Sequence, residues 1–135
     1  MSGERNLDSL VKNMSPVLIP GEFVFSTTNY KDLNDLQETP LLIFHEQEAI
    51  TIVVRKEIAD LHGLEYEGIW GLITLTIHSD LSAIGFLAAL TKALAEGGIS
   101  VNVVSAYFHD HLFVPYESVR DALSILENLS QIRER

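Results

Sequence analysis

The spacing of apolar residues changes period along the chain, and each change marks a predicted element. Residues 72–77 (Leu-Ile-Thr-Leu-Thr-Ile) form an apolar, partly alternating run that predicts a strand over 71–77. A polar stretch, His78-Ser79-Asp80-Leu81-Ser82, leads into a dense apolar segment at helical spacing over 82–96, which Gly97-Gly98 ends. Alternation returns over 99–107, breaks at a polar turn (108–111) and resumes at 112–114. A further amphipathic helix is predicted over 116–130. Upstream, Pro16 and Pro20-Gly21 bracket a short extended piece at 17–19, and residues 22–28 alternate as a strand. Residues 29–39 are polar and end at Pro40, which predicts a loop. Strands follow at 41–44 and 49–54, joined by a hairpin turn at His45-Glu46-Gln47-Glu48. A short helix over 55–61 stops at His62-Gly63, and 64–70 is a strand candidate broken by Gly68.

The same order therefore occurs twice: strand, acidic or histidine-bearing turn, strand, helix, first over 41–61 and again over 101–123. That repetition divides the chain into a polar N-terminal arm or short helix (1–15), a first half (16–68) and a second half (69–135). The first half lacks a long helix where the second has 82–96, and reads as a degenerate copy. In the C-terminal helix Val119, Ala122, Leu123 and Leu126 form one apolar stripe, opposite Glu117, Arg120, Asp121, Glu127 and Asn128. The 82–96 helix is apolar nearly all round. Ile84, Leu87, Ala88, Leu94 and Ala95 form its stripe, while Phe86, Ala89, Leu90 and Ala93 spill onto other faces. Such a helix is expected to be buried on more than one side, by the first half or by a second subunit.

Composition narrows the function classes. The chain has 135 residues, is 47% hydrophobic and carries a formal net charge of −10. It is apolar enough to fill a core, and its charge repels a phosphate backbone, so no nucleic-acid partner is expected. Cysteine is absent, which removes disulfides and thiolate chemistry. Residues 1–10 lack the apolar centre of a signal peptide, and the most apolar helix is too short to span a bilayer. A cytoplasmic protein without membrane association is expected.

Particular residues sharpen the picture. Gly85, Phe86-Leu87, Ala95-Glu96 and Gly98-Ile99 resemble the helix signature of the ACT domain, a small module that binds amino acids and similar metabolites. Tyr107-Phe108-His109-Asp110-His111-Leu112-Phe113-Val114-Pro115 resembles the hairpin of the tandem ACT-like family of small bacterial proteins of uncharacterised function. The resemblance implies an α+β fold of two ACT-like, ferredoxin-like βαββαβ halves, with sheets side by side and helices mainly on one face. It also implies a regulatory or sensor role, without catalysis or cofactor. Three positions depart from the usual ACT pattern. Ser82 and Ile84 stand where Asp or Asn and Pro are typical, and Ser100 where Asn is common; the loop is accordingly expected to bind a different ligand, to bind weakly or to bind nothing.

The candidate ligand site is the loop before the long helix: Ser79, Asp80, Leu81, Ser82, Ile84 and Gly85, faced by Ser100 and Asn102 on the next strand. A helix start offers N–H groups and the positive end of its dipole to a carboxylate, and Asp80 suits an ammonium group. The plainer account is that Ser79 or Asp80 caps the helix and Gly85 packs on the sheet. His109 and His111 are spaced to chelate a metal, but a third ligand would have to come from His45 or His78, so no metal site is expected. Glu46, Glu48, Glu65 and Glu67 can pair as acid and base, yet they sit in turns where a solvated rim is commoner. No nucleophile elbow, His-Glu-x-x-His or P-loop pattern occurs. The expected partners are a small metabolite, an amino acid foremost, and a second copy of the chain as a homodimer. The alternatives are an interaction module with a vestigial pocket, and an enzyme or metal protein using the His-Asp-His turn.

Overall fold

A computed structural model describes residues 3–80 and 83–134, the last three of these by backbone alone. The element order is α1 (Leu7–Lys12), β1 (Pro16–Thr28), α2 (Tyr30–Asn34), β2 (Leu42–His45), β3 (Ile50–Arg55), α3 (Lys56–His62), β4 (Trp70–Leu75), α4 (Phe86–Glu96), β5 (Asn102–Ser105), β6 (Asp110–Pro115) and α5 (Val119–Glu134). A single 3-10 turn, Tyr116–Ser118, leads into α5. The chain forms two compact units: Met1–Pro20 with Gly71–Arg135, and Gly21–Trp70.

In the 21–70 unit the strand order is β2-β3-β1. Both pairings are antiparallel, with Val24 opposite Val54 and Ile43 opposite Ile52. Period two puts Ile50, Ile52 and Val54 on one face, where they meet Val24 and the buried Ile58 and Ala59 of α3. Leu33, Leu36, Leu64, Tyr66 and Ile69 close this core from the side. Residues 29–39, expected as loop, contain the five-residue α2, whose N-cap Asn29 accepts the Asp32 N–H. Residues 64–69 form no strand. Tyr66 donates its hydroxyl to Asp60 Oδ1 (2.6 Å), and Ser26 Oγ donates to the Glu65 carbonyl (2.6 Å), so side chains secure the segment where ladder bonds were expected.

In the other unit, β4, β6 and β5 follow one another, with the first residues of β1 beside β4. Pro20-Gly21 does not end β1, which runs unbroken from Pro16 to Thr28. Three helices pack on one sheet face. Leu10 and Val11 of α1, Phe86, Leu90 and Leu94 of α4, and Ala122 and Leu126 of α5 meet Ile73, Leu75, Leu112 and Val114. The N-terminal segment is thus core rather than arm, because Leu10, Val11 and Met14 are fully buried.

The α4 stripe also differs from the sequence reading. The buried row is Phe86, Leu90 and Leu94, at a strict spacing of four, whereas Ala88 and Ala95 are exposed and Ile84 is 87% exposed. Only Lys92 and Glu96, in line with Ala88, mark the exposed side of this helix, too little polarity to fix the row from sequence, so the neighbouring elements chose it. The strands are shorter than expected as well: 99–107 contracts to Asn102–Ser105, and 71–77 ends at Leu75. The hairpin closes with the Ala106 N–H donating to the His109 carbonyl, which moves Asp110 and His111 out of the turn and into β6.

Candidate functional site

The segment between β4 and α4 is shaped by the N-terminus. Glu4 N–H donates to the His78 carbonyl (2.8 Å) and Asp80 N–H donates to the Glu4 carbonyl (2.9 Å), a parallel bridge of Glu4 with Ser79. The approach is close enough that a Cβ on Gly3 would collide with the His78 carbonyl oxygen. Glu4 itself is held by its own turn. Its carboxylate accepts the Asn6 and Arg5 N–H groups and the Ser9 hydroxyl, and the first two lower its pKa.

Helix α4 begins at Phe86, four residues later than its apolar spacing predicts. Gly85 is the N-cap, with φ 85° in the left-handed region, and among the described residues no side chain caps the helix. A β-carbon at that φ costs about 1–2 kcal/mol, so glycine is the residue that makes this turn readily. Neither Ser79 nor Asp80 caps α4. Ser79 is buried and its hydroxyl donates to Asp110 Oδ2 across 2.9 Å. Asp110 is 5% exposed at the start of β6, opposite Ser105.

These pieces enclose a cavity of about 120 Å³ lined by Ser79, Asp80, Ala83, Gly85, Phe86, Leu87, Ala88, Ser105 and Asp110. Its size suits a small metabolite rather than a drug-sized ligand, for which roughly 300 Å³ or more is usual. One wall is the start of α4, whose first-turn N–H groups have no intrahelical acceptor. The lining also includes the buried carboxylate of Asp110.

Of the residues singled out from sequence, Ser79, Asp80 and Gly85 line this cavity. Ile84, Ser100 and Asn102 do not, and Leu81 and Ser82 lie outside the described residues. The strand side is supplied instead by Ser105 and Asp110. Asn102 lies at the far end of β5, three residues from Ser105, or roughly 10 Å of extended chain. Asp110 had a visible signal, an acid flanked by apolar runs and histidines. What sequence did not show was the shift of the turn that buries it. His111 bonds Thr74 Oγ1 through Nδ1 at 2.9 Å, and its ring centroid is 6.4 Å from that of His109. Burial foremost, and then the neighbouring His109, hold the His111 imidazole below its ordinary pKa. Among the described residues, no three His, Cys, Asp or Glu side chains converge as a metal ion requires. No helix among them is long and apolar enough to cross a membrane.

Comparison with known proteins gives a consistent result. Two family models, each described as ACT domain, match residues 2–70 and 69–128. No curated protein matches the chain in sequence. Among solved structures, a protein of unknown function from Vibrio cholerae, described as a possible transport protein, is 42% identical. It covers 92% of this chain and 95% of its own, with a TM-score of 0.82. An Agrobacterium tumefaciens protein is 16% identical (85% and 87% covered, TM-score 0.64). The ligand-free regulatory subunit of aspartate kinase from Thermus thermophilus is 12% identical (87% and 98% covered, TM-score 0.68). At these identities the last two share the fold alone.

Proposed function

Because the chain belongs to the ACT-domain family, with two such domains in tandem, we propose that it is a non-catalytic regulatory protein that binds a small carboxylate-bearing metabolite, an amino acid foremost. The observation that carries this reading is the start of α4, led by a glycine N-cap, sharing a cavity with the buried Asp110. A ligand carboxylate is received by the first-turn N–H groups, reinforced by the helix dipole. An α-ammonium group is received by Asp110 or Asp80, where the low local dielectric strengthens the attraction. Ser79 and Ser105 supply neutral hydrogen-bonding groups between the two ends. The Thermus regulatory subunit, on the same fold, supports a role apart from catalysis.

Binding is relayed through self-association. Strand β2 stands at one end of the strand order, and Leu41, Ile43 and Phe44, on or next to it, are 56%, 37% and 63% exposed. An exposed apolar end strand is a ready template for pairing with a second copy.

A thermal-shift screen against the proteinogenic amino acids tests the ligand reading, since a ligand that binds only the folded state raises its midpoint. At least one should do so, and Asp110→Asn should abolish the rise. No shift with any of them would instead favour an interaction module with a vestigial pocket.

A further inference from the structure

Arg5 stands outside the cavity yet acts on it. Its Nε lies 3.2 Å from Asp80 Oδ2, and the two side chains differ sharply in exposure, 67% for Arg5 and 10% for Asp80. The nearly enclosed carboxylate lines the cavity, while its cationic partner reaches it from the solvent side along the N-terminal segment. The backbone there is fixed independently of that ion pair by the main-chain bonds of Glu4 to His78 and Asp80. The guanidinium can therefore leave Asp80 without the segment coming away.

We propose that Arg5 is a specificity-determining residue of this site. It neutralises Asp80 from outside, so an incoming ammonium group must compete with the guanidinium for the same carboxylate. The inference rests on the ligand reading above and adds to it: the amino group of an amino acid gains less here than an unpaired aspartate would give it. The site accordingly narrows the preference between an amino acid and the same acid without its amino group. Exposed ion pairs contribute modestly, so the expected effect is roughly two- to fivefold in affinity.

The test is calorimetric titration of the full chain, as wild type, Arg5→Ala and Arg5→Gln, at low ionic strength. The probes are the amino acid giving the largest thermal shift and the corresponding acid lacking the amino group. Both variants should bind the amino acid about two- to fivefold more tightly and the deaminated acid no more tightly than wild type. Equal changes for the two probes, or a selective loss for the amino acid, overturn the proposal while leaving the ligand reading intact. No heat with any of the twenty amino acids in wild type or variants overturns both. Thermal melts of the two variants, expected to match wild type, show that the N-terminal segment remains in place.

Discussion

Asp110 keeps a carboxylate at 5% exposure with the Ser79 hydroxyl bonded to it. Removing a donor from a buried acceptor costs about 1–3 kcal/mol, because the acceptor's desolvation is no longer offset. Ser79→Ala should lower the urea unfolding free energy by that amount and weaken ligand binding in calorimetry. His111 adds a pH dependence. Its folded-state pKa is lowered, by burial first, so the unfolded chain binds the proton more readily. Its contribution is intact above the ordinary histidine value of about 6.5 and is lost as pH falls from there through the lower folded value. Urea midpoints measured across that window should fall with pH in the wild type and fall less in His111→Gln.

At the scale of elements, α4 unites core and site: its row Phe86, Leu90 and Leu94 is core, and its first turn is cavity wall. Leu90→Ala leaves a hole among fully buried side chains and should cost about 2–5 kcal/mol in denaturant titration. Ala88→Ser, on an exposed position, should cost well under 1 kcal/mol. Gly85→Val separates the two roles of the helix. The first added carbon has room, with Leu7 Cδ2 at 3.7 Å, so the folding cost is mainly the strain of φ 85°, about 1–2 kcal/mol. Ligand affinity should fall further than stability, since the branched side chain stands at the cavity wall. Comparing calorimetric affinity with the urea midpoint of the same variant checks this.

At the scale of the molecule, the same grammar is written twice: β1-α2-β2-β3-α3 and β4-α4-β5-β6-α5, each with the second strand outermost and the third beside the first. Helix α2 has five residues where α4 has eleven, which is the degeneracy expected of the first copy. Each copy has its own hydrophobic core. The proposed self-association leads to a measurable outcome. Sedimentation at micromolar concentration should show a dimer, and Phe44→Lys on the end strand β2 should shift it to monomer.

Local pattern was enough wherever one face of an element faces water. The wet face of α5 follows from periodicity because its polar residues have no alternative but solvent, while the 50–55 strand follows from its β-branched residues and the 56–62 helix from the stop at Gly63. The family resemblance was likewise legible in Gly85, Gly98-Ile99 and the 107–115 hairpin. Periodicity failed where several faces were apolar or where the deciding partner lay far along the chain. The buried row of α4 was chosen by packing among β4, β6, α1 and α5. Its late start depends on the backbone angle of Gly85. The shape of the 76–80 segment depends on residues 3–6, some seventy positions away. Asp110 entered the site only because the hairpin closed between Ala106 and His109 and carried the acid into β6. Sequence alone determined the repeated elements and the family, since these rest on neighbours within a turn or a strand. Which carboxylates meet at the cavity, and that Arg5 guards one of them, was decided only by contacts between residues that the chain keeps far apart.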